Sequence, residues 1–149
     1  MLKLSILVVL LLATTVAQAV PYTYLMFWSD AYRQGRKIIC APLHDDTCYR
    51  LPDDIVNLGL SSAQFSNGNM FANKMAVTLY SGDGCNGYMN RWGFTLNNLG
   101  GPYQIEYFQT LNDNVRSFKV AARDLPTTHG GARQDPENTE RAPCKDFYS

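Results

Sequence analysis

Two stretches of this chain repeat the same punctuation, and a short unit repeated with strand-like spacing leaves few folds open. Residues 76–120 begin with an alternating apolar run ending at Tyr80, bend through S-G-D-G-C-N-G, and close with L-N-D-N-V-R-S-F-K-V. Upstream, L-M-F-W-S-D-A-Y-R-Q-G-R-K-I-I opens a similar unit and I-V-N-L-G-L-S-S-A-Q-F closes it. Trp28 answers Tyr80, Ser29 answers Ser81, Gly35 answers Gly87, Asn57 answers Asn112 and Ser62 answers Ser117. The chain therefore reads as an internal duplication of a hairpin-forming unit, with no helical periodicity beyond a turn or two.

The first nineteen residues have a different character. Lys3, an apolar run over residues 4–13 and the small-x-small triplet Ala17-Gln18-Ala19 make up a charged region, a hydrophobic region and a cleavage site. These are the parts of a secretory signal peptide, and the run falls short of the roughly 20 apolar residues of a membrane span. Residues 1–19 are thus expected to be removed, leaving a secreted chain with no membrane attachment. Lys3 is the only charge in the leader, so 12 basic residues stand against 13 acidic ones in the remainder, a net charge of −1. A nucleic-acid partner calls for a basic excess or stripe, and none is present.

All four cysteines, Cys40, Cys48, Cys85 and Cys144, lie in the exported part, where disulfides persist. Four cysteines allow three pairings. The turn L-H-D-D-T favours Cys40 with Cys48, leaving Cys85 with Cys144, and the other pairings stay open. A zinc site using His44 is the competing use of these thiols, but the spacing matches no recurrent zinc pattern. No N-glycosylation sequon is present.

Taken in order, strands are expected over residues 22–28, 36–41, 60–65, 75–80, 87–92, 103–108 and 115–120. Residues 48–55 read as a loop or a single helical turn. Residues 66–74 are a polar connector and 93–101 a Gly/Asn-rich loop. Beyond residue 122 the chain is polar, rich in Pro and Gly, and poor in anything that joins a core, so only Cys144 ties it down. The organisation is then a signal peptide at 1–19, one domain at 20–122 built of motifs 22–66 and 75–120, and a tail at 123–149.

The two units resemble the Greek key motif of the βγ-crystallin superfamily. Each such motif opens with an aromatic residue, four variable residues, usually a second aromatic, one residue and a Gly. It closes with two Asn/Asp, two variable residues, Ser/Thr and Ser. Here the openings run from Trp28 to Gly35 and from Tyr80 to Gly87, and the closes from Asn57 to Ser62 and from Asn112 to Ser117. The resemblance implies an all-β fold in which two four-stranded Greek keys form a sandwich with a polar C-terminal tail. Gly35 and Gly87 would supply the positive φ of a folded hairpin, and Ser62 and Ser117 would bond its unpaired backbone groups. Arg33 and Cys85 stand where the second aromatic is usual, and a disulfide at Cys85 would substitute for it.

The resemblance also implies calcium at the closing motifs, on hard oxygen ligands. One site would use Ser61, the Gly59 carbonyl and Asp113, and the alternative reading of the same residues is an Asx/Ser cap that holds no metal. Its twin would need a hydroxyl where Arg116 stands and an Asp or Asn where Leu58 stands, so it is expected to be dead. Function follows as a secreted, monomeric, non-enzymatic module, structural or binding, with one weak calcium site and an unidentified extracellular partner, a protein or a cell surface. Secreted effectors of the same fold, a proteinase inhibitor or a killer toxin, are the alternative, with bait loops at 93–102 or 43–47. A small nuclease, with His44 and His129 as an acid/base pair and Arg36 or Lys37 holding phosphate, is the third reading. The acid pairs Asp45-Asp46 and Asp53-Asp54 read as loop or cap positions, and the aromatics read mainly as core.

Overall fold

A computed structural model describes residues 23–66, 74–95 and 103–148. The expected signal peptide at 1–19, most of the 66–74 connector and the larger part of the 93–101 loop lie outside the described residues. Twelve elements follow in order: β1 (Thr23–Asp30), β2 (Gln34–Leu43), β3 (Tyr49–Arg50), α1 (Asp53–Val56), β4 (Ser62–Ser66), β5 (Lys74–Tyr80), β6 (Gly87–Thr95), β7 (Tyr103–Ile105), β8 (Ser117–Ala121), β9 (Thr128–Arg133), β10 (Glu140–Arg141) and β11 (Cys144–Asp146). Short 3-10 turns occupy Ala31–Arg33 and Gln109–Leu111.

The strands form two sheets, ordered β11-β2-β1-β4-β7 and β10-β3-β8-β5-β6-β9. Each unit leaves one short strand in the other unit's sheet. β3 pairs with β8, and β7 pairs with β4. Registers repeat between the units: Trp28 faces Lys37 on one side and Ser62 on the other, and Tyr80 likewise faces Met89 and Ser117.

Alternation along the strands decides what fills the space between the sheets. From β1, Leu25 and Phe27 turn inward, from β4 Ala63 and Phe65, and from β8 Phe118 and Val120, all buried. Phe27 meets Phe118 at 5.5 Å and Phe108 at 6.1 Å, both edge-on, and Tyr49 stacks on Phe118 at 5.5 Å. Phe118 thus joins residues of both units in one core.

The last 26 described residues depart from expectation. The sequence predicts a strap held only by Cys144; instead β9, β10 and β11 pair with β6, β3 and β2 at sheet edges. Main-chain pairing needs no apolar side chains, so the residue pattern does not mark these strands, and Ala142 is the buried hydrophobic residue this segment provides. The disulfides correct the favoured pairing as well. Cys40 bonds Cys144, and Cys48 bonds Cys85. Cys40 lies on β2 opposite Cys144 of β11, while Cys48 precedes β3, which crosses to the sheet that carries the second hairpin. Two disulfides are compatible with an extracellular protein. No helix among the described residues is long and apolar enough to cross a membrane.

Phe118→Ala removes the ring shared by both units, and unfolding in urea is expected to show a loss of about 3–5 kcal/mol. A loss below about 1 kcal/mol would mean that the two halves do not share this core.

Candidate cation site and the latched hairpins

Between β1 and β2, and again between β5 and β6, the chain folds back over its own sheet, and the two turns are held by matching bonds. In the first, Ser62 Oγ accepts from the Arg33 N–H at 3.0 Å and donates to the Asp30 carbonyl at 2.6 Å. In the second, Ser117 Oγ accepts from the Cys85 N–H at 2.9 Å and donates to the Gly82 carbonyl at 2.5 Å. Each serine therefore supplies both partners that a folded hairpin lacks. A second pair of hydroxyls works one step out. Ser29 Oγ accepts from the Arg36 N–H and Ser81 Oγ from the Tyr88 N–H, both at 2.9 Å. The repeat displays a serine after each opening aromatic, but sequence spacing alone does not show which amide it receives.

Gly35 and Gly87 have φ of +75° and +77°, as the sequence required. Space imposes a second requirement: a Cβ would fall 2.2 Å from Ser29 Oγ and 2.7 Å from Ser81 Oγ. Only glycine satisfies both conditions. Arg33 and Cys85, at the position of the absent aromatic, also have positive φ, +61° and +52°. Cys85 turns beneath its hairpin, where its disulfide to Cys48 packs with buried Tyr80 and partly buried Met89. Burial pushes the Tyr80 hydroxyl above its ordinary pKa, against the opposing charge of Arg133, so the ring stays neutral in this cluster.

The three residues implied as cation ligands come together, although they span 54 positions of sequence. Ser61 Oγ donates to Asp113 Oδ1 at 3.0 Å, and the Asp113 N–H donates to the Leu60 carbonyl at 3.0 Å. Asp113 holds a φ of +59°, and Asn112 Nδ2 steadies its other oxygen at 2.7 Å. Gly59 has φ +68°, and a Cβ built there would lie 2.9 Å from Asp113 Oδ1. A side chain at 59 would therefore fill the space against that carboxylate. Asn112 Oδ1 is buried and makes no hydrogen bond. Among the described residues no three His, Cys, Asp or Glu side chains gather as metal ligands, and this set contains a single carboxylate.

The corresponding loop of the other unit is built differently. Arg116 stands at the position of Ser61, and its Nε donates to Asp83 Oδ1 at 2.9 Å, with Arg50 Nε 3.7 Å from the same oxygen. The hydrogen bond and charge of Asp83 push the Arg116 guanidinium above its ordinary pKa. Leu58 packs against the core there.

Other candidate groups are spread apart. His44 lies beside Tyr49, whose hydroxyl accepts its N–H, whereas His129 is on β9 against Trp92 at 5.4 Å. The loop that carries His44 is bonded to β8 through Asp45 and Asp46, and β8 stands three spacings, about 14 Å, from β9 in the sheet order, so the two histidines are held by separated strands. Arg36 is paired with Asp146, and Lys37 lies 4.5 Å from the Phe147 ring. Asp45 accepts the Ala122 N–H, Asp46 pairs with Arg123, and Asp53 pairs with Arg50. Of the two bait-loop candidates, 43–47 is pinned to β8 by the Asp46 N–H to the Val120 carbonyl at 2.8 Å. The 93–102 loop lies mostly outside the described residues. The four cysteines are all in disulfides, which removes the thiolate zinc reading.

Comparison with protein families, with curated proteins and with solved structures returned no match.

Ser117→Ala deprives the Cys85 N–H and the Gly82 carbonyl of their partner, each at about 1–3 kcal/mol when buried. The expected signature is a fall in stability of about 2–4 kcal/mol with lost hydrogen-exchange protection at the Cys85 amide. Unchanged protection at that amide would show that the hydroxyl does not hold the turn.

Proposed function

We propose that this chain is an exported, non-enzymatic module of βγ-crystallin type, structural or binding in role, with one calcium site. The observation that carries the reading is the double latch. Two hairpins, each with a glycine at φ near +76° and a closing serine bonded to the same two kinds of backbone group, repeat in the same chain order. The exchange of β3 and β7 between the sheets supports two Greek keys, since in each unit the third strand leaves and the fourth returns beside the first.

The donor set at the first closing loop fits a hard cation. Ser61 Oγ, the Gly59 carbonyl and Asp113 are all oxygen, and the absence of a side chain at Gly59 leaves room beside the carboxylate. Calcium would supply the charge that draws these oxygens together. The chain's own part is to hold Asp113 at positive φ and to present a hydroxyl whose proton can turn away. With one carboxylate, affinity belongs with extracellular modules, at a Kd of about 10⁻⁴–10⁻³ M. At the twin loop, the Arg116 guanidinium repels a cation.

Calorimetric titration of the oxidised chain with calcium is expected to give one saturable site, absent in Ser61→Ala and retained in Arg116→Ala. In 10 mM calcium, linkage predicts added stability of about 1.4–2.7 kcal/mol. No heat and no thermal shift at that concentration would end the calcium reading while leaving the latched hairpins in place.

A further inference from the structure

β10 runs parallel to β3 in a register that sets Arg141 beside Arg50. The backbone fixes this placement. The Glu140 N–H donates to the Cys48 carbonyl at 2.9 Å, the Ala142 N–H donates to the Arg50 carbonyl at 2.8 Å, and Ala142 is buried. Two guanidiniums on neighbouring strands repel, so the pairing of these strands runs against their side-chain charge. A local conflict of that kind marks a place where the sequence serves something other than stability.

One of the two arginines is answered from within the chain. Arg50 donates to Asp53 Oδ1 at 3.1 Å and lies 3.7 Å from Asp83 Oδ1. Arg141 has no ion pair and no side-chain hydrogen bond among the described residues. The same holds for Asp54, the neighbour of the acid that Arg50 takes.

Both unanswered groups line one cavity of about 420 Å³, a volume within the range of small-molecule sites. Buried Leu51 and Pro52 give it an apolar floor, and Thr139 brings a hydroxyl to its wall. The lining thus carries two arginines and two aspartates. Arg50 and Asp53 close on each other, whereas Arg141 and Asp54 face the same space without meeting. A dianion such as phosphate is opposed here by two carboxylates, and a metal cation by two guanidiniums. A ligand with one charge of each sign meets neither objection.

We propose that this cavity binds a free amino acid with an apolar side chain. Arg141 receives the carboxylate on its planar fork of N–H donors, and Asp54 accepts from the ammonium. The apolar side chain lies on Leu51 and Pro52. The site shares no residue with the Ser61–Asp113 loop. Residues 50–54 come from the first unit and residues 139 and 141 from the final segment, so the cavity is complete only when β10 is seated on β3.

The test follows the amide NMR shifts of the full oxidised chain as leucine, and in a second series phenylalanine, is added. Saturable shifts centred on residues 50–54 and 139–142 are expected, with a Kd of about 1 mM for a ligand of this size. Leucinamide, which lacks the carboxylate, and N-acetylleucine, which lacks the ammonium, should each bind about 10-fold more weakly. Arg141→Gln should weaken leucine by about the same factor without weakening leucinamide, and Asp54→Asn should weaken leucine without weakening N-acetylleucine. Neither side chain bonds to the rest of the described structure, so both variants keep the fold. Absence of shifts with both amino acids at about 30 mM, far above the expected Kd, would overturn the proposal. So would N-acetylleucine binding as tightly as leucine, or a preference for leucine over leucinamide that survives Arg141→Gln.

Discussion

A hairpin folded back onto its own sheet turns its backbone groups away from any ladder, and the structure depends on the two serines that receive them. Ser62 and Ser117 are fully buried at the ends of β4 and β8, each one strand away from the turn it holds. A hydroxyl suits this position because it donates and accepts through one atom. Leaving either group unpaired in a buried place costs more than the bond contributes when made. The latch also places the core. Once Ser117 is fixed opposite Tyr80, Phe118 must point to the other face of the sheet, where it meets Phe27 and Tyr49.

Edges set the second constraint. Two sheets of four strands present four open edges, and the chain meets most of that exposure with its own final segment. The arrangement is economical in sequence because strand pairing needs only backbone. It also explains why Asn90 is buried without penalty: its amide joins the Phe108 carbonyl to the Gly130 N–H, so both ends are satisfied. Gly93 belongs to the same arrangement, since a Cβ there would fall 2.0 Å from the Leu125 carbonyl oxygen of the crossing connection.

The body of the fold was largely legible in sequence because its determinants are side chains with fixed spacing. Tyr80, Gly87 and Ser117 each do a job that only a few residue types perform, so the repeat marks strands β5, β6 and β8 closely. β3 was not legible, because two residues, Tyr49 and Arg50, carry no alternation. That gap led directly to the wrong cysteine partners. Cys48 appears close to Cys40 along the chain, but crossing to the second sheet brings it under the hairpin that carries Cys85. The three final strands were hidden for the opposite reason: their side chains face solvent, and polar residues rich in Gly and Pro read as tail. Of the candidate site, the grouping of Ser61, Gly59 and Asp113 was available only through the resemblance, since nothing local links positions 59 and 113. The roles of Asp83 and Asn112 came from the structure alone.

The two closing loops show how one repeated design is held in two chemical ways. At the first, a hydroxyl of one unit meets a carboxylate of the other, Ser61 to Asp113, so whatever strengthens that contact ties the two units together. At the second, a permanent positive charge on Arg116 is answered by Asp83 in its own unit, and Arg50 reaches across from the other unit to the same carboxylate at 3.7 Å. Both partners in that cluster are about half exposed, where an ion pair contributes about 0–1 kcal/mol and is screened by salt. The units are held together on that side by a covalent bond instead, the Cys48–Cys85 disulfide beneath the second hairpin. The first contact rests on hydrogen bonds alone, Ser61 Oγ to Asp113 Oδ1 and the Asp113 N–H to the Leu60 carbonyl, each at 3.0 Å.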